Sequence, residues 1–401
     1  MLTGLHARMT IVPSSPGTAA AVAGNRLWQL DALRGLMLVL MTLTHIPTRL
    51  TEPMGQPFGF VSAAFGFVFL SAMLVGRVHG RRLPQMGRSG IRRALWRRAG
   101  VVYACHLGLL AVLFGILPHT GIVPEKGPLP GMMWFFNSDP TVALVGAVTL
   151  LYQPGMLDIL PMYVIFLLVS GDILAIGARR GWGGIFVVSA LLWLLAQTGL
   201  AGLAYDRLAE TLPLSIPRAV TGAFDLLGWQ AVWIGGLAMG ASLAAGWQPQ
   251  PARWPRGLIA AAVLIALAGF VWRHAVGQIP FPPDNAWNAL FSKWHMGPLR
   301  VLNALALLVL LMRFGPRGDA PAPLWAPLQA LGRAALPVFC THVVVAMLVL
   351  GIAGDEIRDR PYWIDATILA LTFSALWAAA TFARHRPWPL TRRARTVASA
   401  A

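Results

Sequence analysis

Ten apolar runs of helix length succeed one another along this 401-residue chain, the first over residues 27–49 and the rest beginning near Phe58, Ala99, Gly155, Gly183, Phe224, Gly257, Pro298, Leu331 and Trp363. A helix needs roughly 20 apolar residues to cross about 30 Å of hydrocarbon. A backbone in lipid must also satisfy its own hydrogen bonds, which leaves helices as the elements such runs can form. The sequence therefore predicts an all-α, polytopic integral membrane protein of about ten transmembrane helices. Composition points the same way: 57% of residues are hydrophobic and 12% charged, with mean hydropathy +0.64, against roughly 25% charged in a soluble domain.

The formal net charge of +17 would indicate nucleic acid as the partner of a soluble chain. Here the basic residues sit between apolar runs, where they orient helices in the bilayer, and no nucleic-acid partner is expected. The densest stretch, RVHGRRLPQMGRSGIRRALWRR at residues 77–98, reads as a cytoplasmic loop. With that loop inside, about twenty basic residues are cytoplasmic, among them Arg8, Arg26, Arg179, Arg180, Arg253, Arg256, Arg313, Arg317, Arg384, Arg386, Arg392, Arg393 and Arg395. About seven, including Arg49, Lys126, Arg207 and Lys293, fall outside. Both termini are then cytoplasmic. Residues 1–25 lack the apolar core of a signal peptide and are expected to form a mobile tail, residues 26–384 the ten-helix domain and residues 385–401 a basic tail. Between the third and fourth runs, the apolar stretch 141–151 is too short to span and is expected as an interfacial or re-entrant helix. Cys105 and Cys340 have neither metal-ligand nor redox spacing, so both read as small core residues and no metal is expected.

The first run, LWQLDALRGLMLVLMTLTHIPTR, carries charges that a membrane span does not carry without cause. Arg34 and His45 are eleven residues apart, about 1100° of helical rotation and about 16 Å of rise, so they share one face. Ionisable residues in a span cost roughly 2.5–3.5 kcal/mol each and face a bundle interior or a wet cavity. Asp31 and Arg34, at i and i+3, are spaced to pair. Arg34 lies at the cytoplasmic end, where a guanidinium suits the phosphate of a cytoplasmic cofactor. His45 lies near the outer end, where a neutral imidazole can accept a proton from a hydroxyl.

Four other stretches place polar groups in or beside apolar runs. MLDILPMYV carries Asp158 and Tyr163, FDLLGWQ carries Asp225 and Gln230, SKWHMGPLRVLN carries Lys293, His295, Arg300 and Asn303, and LGRAALPVFCTHVVV carries Arg333 and His342 on one helix. Each taken alone is accounted for by a hydrogen bond between packed helices. Asp158, Asp225, Lys293, His295 and Arg300 all fall toward the side where His45 lies, and together they predict a polar vestibule. A secondary transporter would also carry intramembrane charges, usually with inverted repeats; the chain has no clear internal repeat.

In order and spacing, RLWQLDALRGLMLVLMTLTHIP, FGFVSAAFGFVFLS, LDILPMYV, the PLRVLN stretch and LGRAALPVFCTHVVV resemble the OpgC family of integral membrane proteins, which in turn resembles the acyltransferase-3 superfamily. The resemblance implies a bacterial inner-membrane enzyme that moves an acyl group, succinyl or acetyl, from acyl-CoA to a periplasmic glucan or other extracytoplasmic carbohydrate. A related alternative is O-acetylation of a lipid-linked or surface polysaccharide. By the same resemblance His45, Asp158 and Arg300 are the expected catalytic residues and Arg34 helps hold the donor, and from their position at the cytoplasmic side Asp31, Arg93 and Arg97 are further expected donor-binding residues. His342, Asn303, His295, Lys293, Asp225 and Gln230 are further polar candidates. The chain departs from the family pattern at Phe65, where an acidic residue is expected, and at Ala72, where a glycine is expected.

Overall fold

The structure, a computed structural model, describes residues 27–211, 215–316, 318 and 323–385. The expected tail 1–25 with Arg8, and residues 386–401 of the expected tail 385–401 with Arg386, Arg392, Arg393 and Arg395, lie outside the described residues, as do Arg26 and Arg317, whereas His385 closes α14. Among the described residues every regular element is helical: α1 (Trp28–His45), α2 (Thr51–Met54), α3 (Ala63–Leu110), α4 (Pro128–Ser138), α5 (Pro140–Val148), α6 (Ile159–Arg180), α7 (Gly183–Gln197), α8 (Leu200–Thr211), α9 (Leu226–Ala244), α10 (Arg256–Val276), α11 (Pro298–Phe314), α12 (Ala326–Arg333), α13 (Ala335–Ala353) and α14 (Tyr362–His385).

Six of these are long and apolar enough to cross a membrane: α3 with its continuation to His119, α6, α9, α10, α13 and α14. Helices α7 and α8, bent by 74°, would together make a seventh. The other runs read as spans from the sequence are α1, whose 18 residues include Asp31 and Arg34, α11, with 17 residues, and the second arm of α3. Outward faces fit a lipid solvent. Leu264 on α10 is 66% exposed and Leu371 on α14 is 68% exposed, within apolar surface that water would penalise and a bilayer does not.

Residues 77–98 are helical, not the loop their charge predicts. Arg, Leu, Met and Gln are good helix formers whatever their polarity, and only Gly87, at φ 64° and ψ 176°, leaves helical geometry. That left-handed φ is open to glycine without the Cβ penalty other residues meet. It divides α3 into arms 63–86 and 88–110. Phe67 of the first arm and Arg98 and Val102 of the second line one cavity, so the chain doubles back. The first arm packs on α9 and the second on α6, where Trp96 Nε1 donates to the Leu168 carbonyl at 2.9 Å.

The run beginning near Leu331 is likewise two helices. Ala334, at φ −104° and ψ 32°, separates α12 from α13, which puts Arg333 and His342 on different helices rather than one. Pro337 falls in the first turn of α13, where its missing N–H is tolerated. Helix α12 meets α1 at van der Waals limits: a Cβ at Gly332 would lie 1.7 Å from the Asp31 carbonyl oxygen, and one at Gly35 would lie 1.9 Å from that of Leu328. Small residues allowing this approach are the usual means of holding helices together where lipid removes the hydrophobic drive.

The connection from α1 to α3 is pinned from several helices. Arg300 donates to the Phe60 carbonyl and, at 3.0 and 2.7 Å, to that of Phe291, while Asn303 Oδ1 accepts from Phe60 N at 2.9 Å. Buried Arg273 holds Glu52 at 3.0 Å, Arg49 pairs with Asp365 at 2.9 Å, and Arg360 donates to the Pro47 carbonyl at 2.7 Å. Carbonyls that helices would otherwise satisfy are thus supplied with donors, and the loop becomes a fixed wall.

Candidate active site

His45 is the last residue of α1, and it borders a chamber of about 400 Å³. Thr44 and Met41 extend its wall along the same helix, Thr51, Glu52 and Ser62 come from the pinned loop, and Asp158, Lys293 and Trp294 close the far side. Asp158 precedes α6 and is 6% exposed, with Oδ2 accepting from Ala223 N at 3.3 Å. Burial pushes its carboxyl up to about 6, partly opposed by the Ala223 hydrogen bond and by Lys293. Lys293, in the segment before α11, has its ammonium 4.4 Å from the centre of the Trp294 ring. Burial and the neighbouring Arg300 lower its pKa, with Asp158 working against them.

On the other side of His45 lies His342 of α13. His45 Nδ1 and His342 Nε2 are 2.9 Å apart, and His342 Nδ1 is 2.9 Å from the Phe339 carbonyl oxygen one turn back. His342 is fully buried. Phe339 sits edge-on to it, with ring centroids 5.0 Å apart.

Arg34, three turns below His45, is buried and donates through Nη1 to the Gly332 carbonyl at 3.3 Å. Its guanidinium lies 5.7 Å from the centre of the Phe67 ring. Arg34 lines a second, narrow cavity of about 20 Å³ with Arg98, Phe67, Val102, Leu160, Tyr163 and Leu336, room for about one water. Ile159 and Phe339 line both cavities. The narrow crevice and the chamber therefore share two apolar wall residues.

The polar candidates divide. His45, Asp158 and Lys293 meet at the chamber, and His342 backs His45. Arg300 donates to the backbone carbonyls of Phe60 and Phe291, and Asn303 Oδ1 accepts from Phe60 N, while Asn303 Nδ2 is buried without a hydrogen-bond partner among the described residues. Asp225 caps α9 by accepting from Leu227 N and Gly228 N at 2.7 and 3.1 Å, with His295 3.9 Å away. Gln230 binds Ser189 across α7 and α9. Asp31 is buried with Arg333 3.7 Å away. Arg93 and Arg97 are exposed on the second arm of α3, whereas Arg98 of the same arm reaches the crevice.

Comparison with known proteins adds one finding: the family model described as OpgC protein matches residues 26–388. The chain belongs to the OpgC family. The resemblance drawn from five short motifs is borne out by a match that runs from the start of α1 past the end of α14. No curated protein and no solved structure matches the chain.

For this OpgC-family chain, sequence reasoning passed over Phe339, Ile159, Glu52, Ser62 and Trp294. Phe339 and Ile159 are apolar residues inside apolar runs, and no spacing rule separates a side chain between two cavities from a core one. Glu52 carried a usable signal, an acid in a short turn just beyond His45. Phe65, expected from the sequence to be a departure from the family pattern, stacks on Phe69 with centroids 6.4 Å apart. Its neighbours Ala63 and Ala64 line the chamber.

Proposed function

We propose that this protein transfers an acyl group, succinyl or acetyl, from cytoplasmic acyl-CoA to a hydroxyl of a periplasmic glucan or other extracytoplasmic carbohydrate. The single observation that carries this reading is the arrangement along α1. An arginine-lined crevice at Arg34 and a polar chamber at His45 abut across Ile159 and Phe339. In this reading α1, the two arms of α3, α6, the bent α7 and α8 pair, α9, α10, α11, α13 and α14 make ten spans, with the Gly87 reversal and both termini cytoplasmic in the inner membrane. The spacing of Arg34 and His45 also relates the chain to the acyltransferase-3 superfamily.

The donor's phosphates bind near Arg34, with Arg98 and the exposed Arg93 and Arg97 on the same arm, because planar guanidinium groups match phosphate oxygens. Its thioester arm passes Phe339 into the chamber. There a ring nitrogen of His45 takes the acceptor hydroxyl's proton as the oxygen bonds to the thioester carbonyl carbon. The carbon–sulfur bond then breaks, and the departing thiolate takes the proton back from the imidazolium. A positioned base of this kind contributes typically about 10² to 10⁴-fold. Lys293, rather than Arg300, is the cation suited to the developing oxyanion, since its ammonium borders the chamber while the Arg300 donors are taken by carbonyls.

The test uses purified full-length protein in detergent or vesicles with acyl-CoA, with and without a periplasmic glucan. Release of free thiol that depends on acceptor, with an acyl ester on the glycan by mass spectrometry, is the expected result. Glycan movement across the membrane with the thioester intact would replace this reading with that of a transporter.

A further inference from the structure

A carbonyl oxygen can only accept a hydrogen bond, so the 2.9 Å contact between His342 Nδ1 and the Phe339 carbonyl requires a proton on Nδ1. A neutral imidazole then has a bare Nε2. That nitrogen is 2.9 Å from His45 Nδ1, so the shared proton belongs to His45 Nδ1. In a neutral His45 this leaves Nε2 as the nitrogen with the free lone pair. The opposite assignment would put protons on both nitrogens of His342, a cation in a fully buried position. Among the described residues neither ring forms an ion pair with a carboxylate, so nothing would offset the loss of hydration.

We infer that His342 is a positioning residue: through Nε2 it fixes the tautomer and orientation of His45, so that the lone pair of His45 Nε2 is the one available to an acceptor hydroxyl. This rests on His45 being the base of the proposed transfer. The device is that of a buried acceptor holding a catalytic imidazole by its far nitrogen, with an imidazole and a backbone carbonyl in place of a carboxylate. His342 itself does not line the chamber. When His45 becomes an imidazolium its Nδ1 proton stays bonded to His342, so the arrangement persists through the reaction.

The experiment compares purified full-length His45→Ala, His342→Leu, His342→Gln and the double variant His45→Ala/His342→Leu, measuring kcat, donor KM and thermal stability. His342→Leu should lower kcat by at least about 10²-fold, the lower end of what a general base contributes, with donor KM unchanged. His342→Gln can accept from His45 and donate to Phe339, and should recover activity to within about tenfold of the native protein. The double variant should be no slower than His45→Ala alone, because two residues acting as a unit are not additive. Losses that multiply in the double variant, or an inactive His45→Ala beside a fully active His342→Leu, would overturn this inference alone. Where His342→Leu fails to fold, a folded His342→Gln decides: recovered activity supports the positioning role, and loss as deep as in His45→Ala overturns it. Activity surviving in His45→Ala would overturn the base assignment and this inference with it.

Discussion

Phe339 stacks on Phe67 with ring centroids 6.3 Å apart and planes 22° from parallel, and Phe339, together with Ile159, borders both the Arg34 crevice and the His45 chamber. On the proposed route the donor arm passes Phe339. Phe339→Trp should therefore slow acyl transfer while leaving donor affinity near normal, because phosphate binding occurs below the constriction. Transfer rates with a long-armed and a truncated acyl thioester check this. An unchanged Trp variant would mean that the arm takes another route.

Arg34 tests the other end of the route. Arg34→Lys keeps the charge and loses the planar fork, so donor binding should weaken without disappearing. Arg34→Ala should weaken it further, and titration with acyl-CoA reads both. Native affinity in Arg34→Ala would contradict a donor role.

Asp158 makes a pH prediction. Burial holds its carboxyl at about 6, above its usual 3.8. A carboxyl whose folded pKa exceeds its unfolded one binds its proton more tightly when folded, so this group adds stability as pH falls from about 6 toward 3.8 and removes it as pH rises. Transfer should show the reverse trend, rising through pH 6 as Asp158 ionises beside Lys293. Asp158→Asn should flatten both profiles in that window. Profiles identical to those of the native protein would remove Asp158 from the site's electrostatics.

Arg300 should act on stability before chemistry. Arg300→Met strands the Phe60 and Phe291 carbonyls that the guanidinium now satisfies, a loss on the order of 3 kcal/mol. The melting temperature should fall, and turnover per folded molecule should fall less than in His45 variants. A stable but inactive Arg300→Met would return Arg300 to the chemistry.

Features legible in the sequence are those written in local pattern. The starts of α7 at Gly183 and α11 at Pro298 follow from apolar length and a proline at the first helical position. The shared face of Arg34 and His45 follows from helical rotation. Features that stayed hidden depend on distant partners or on one backbone angle. Arg333, far along the chain, lies 3.7 Å from Asp31. His342 meets His45 across 297 residues. The Gly87 reversal is a single φ within an otherwise helical stretch, and Arg-rich sequence does not distinguish helix from loop by polarity. Arg300, in the first turn of α11, carries no mark in the sequence of the Phe60 and Phe291 carbonyls that it meets.

The central claim is that His45 accepts the proton of a carbohydrate hydroxyl during acyl transfer. The measurement that tests it most directly is acyl incorporation into glycan by purified His45→Asn, with donor affinity measured on the same preparation. Asparagine keeps some hydrogen bonding and removes a group able to take a proton near neutrality. Transfer should fall by about 10² to 10⁴-fold with donor affinity little changed. Near-native transfer by His45→Asn would contradict the claim and leave His45 a packing residue at the end of α1.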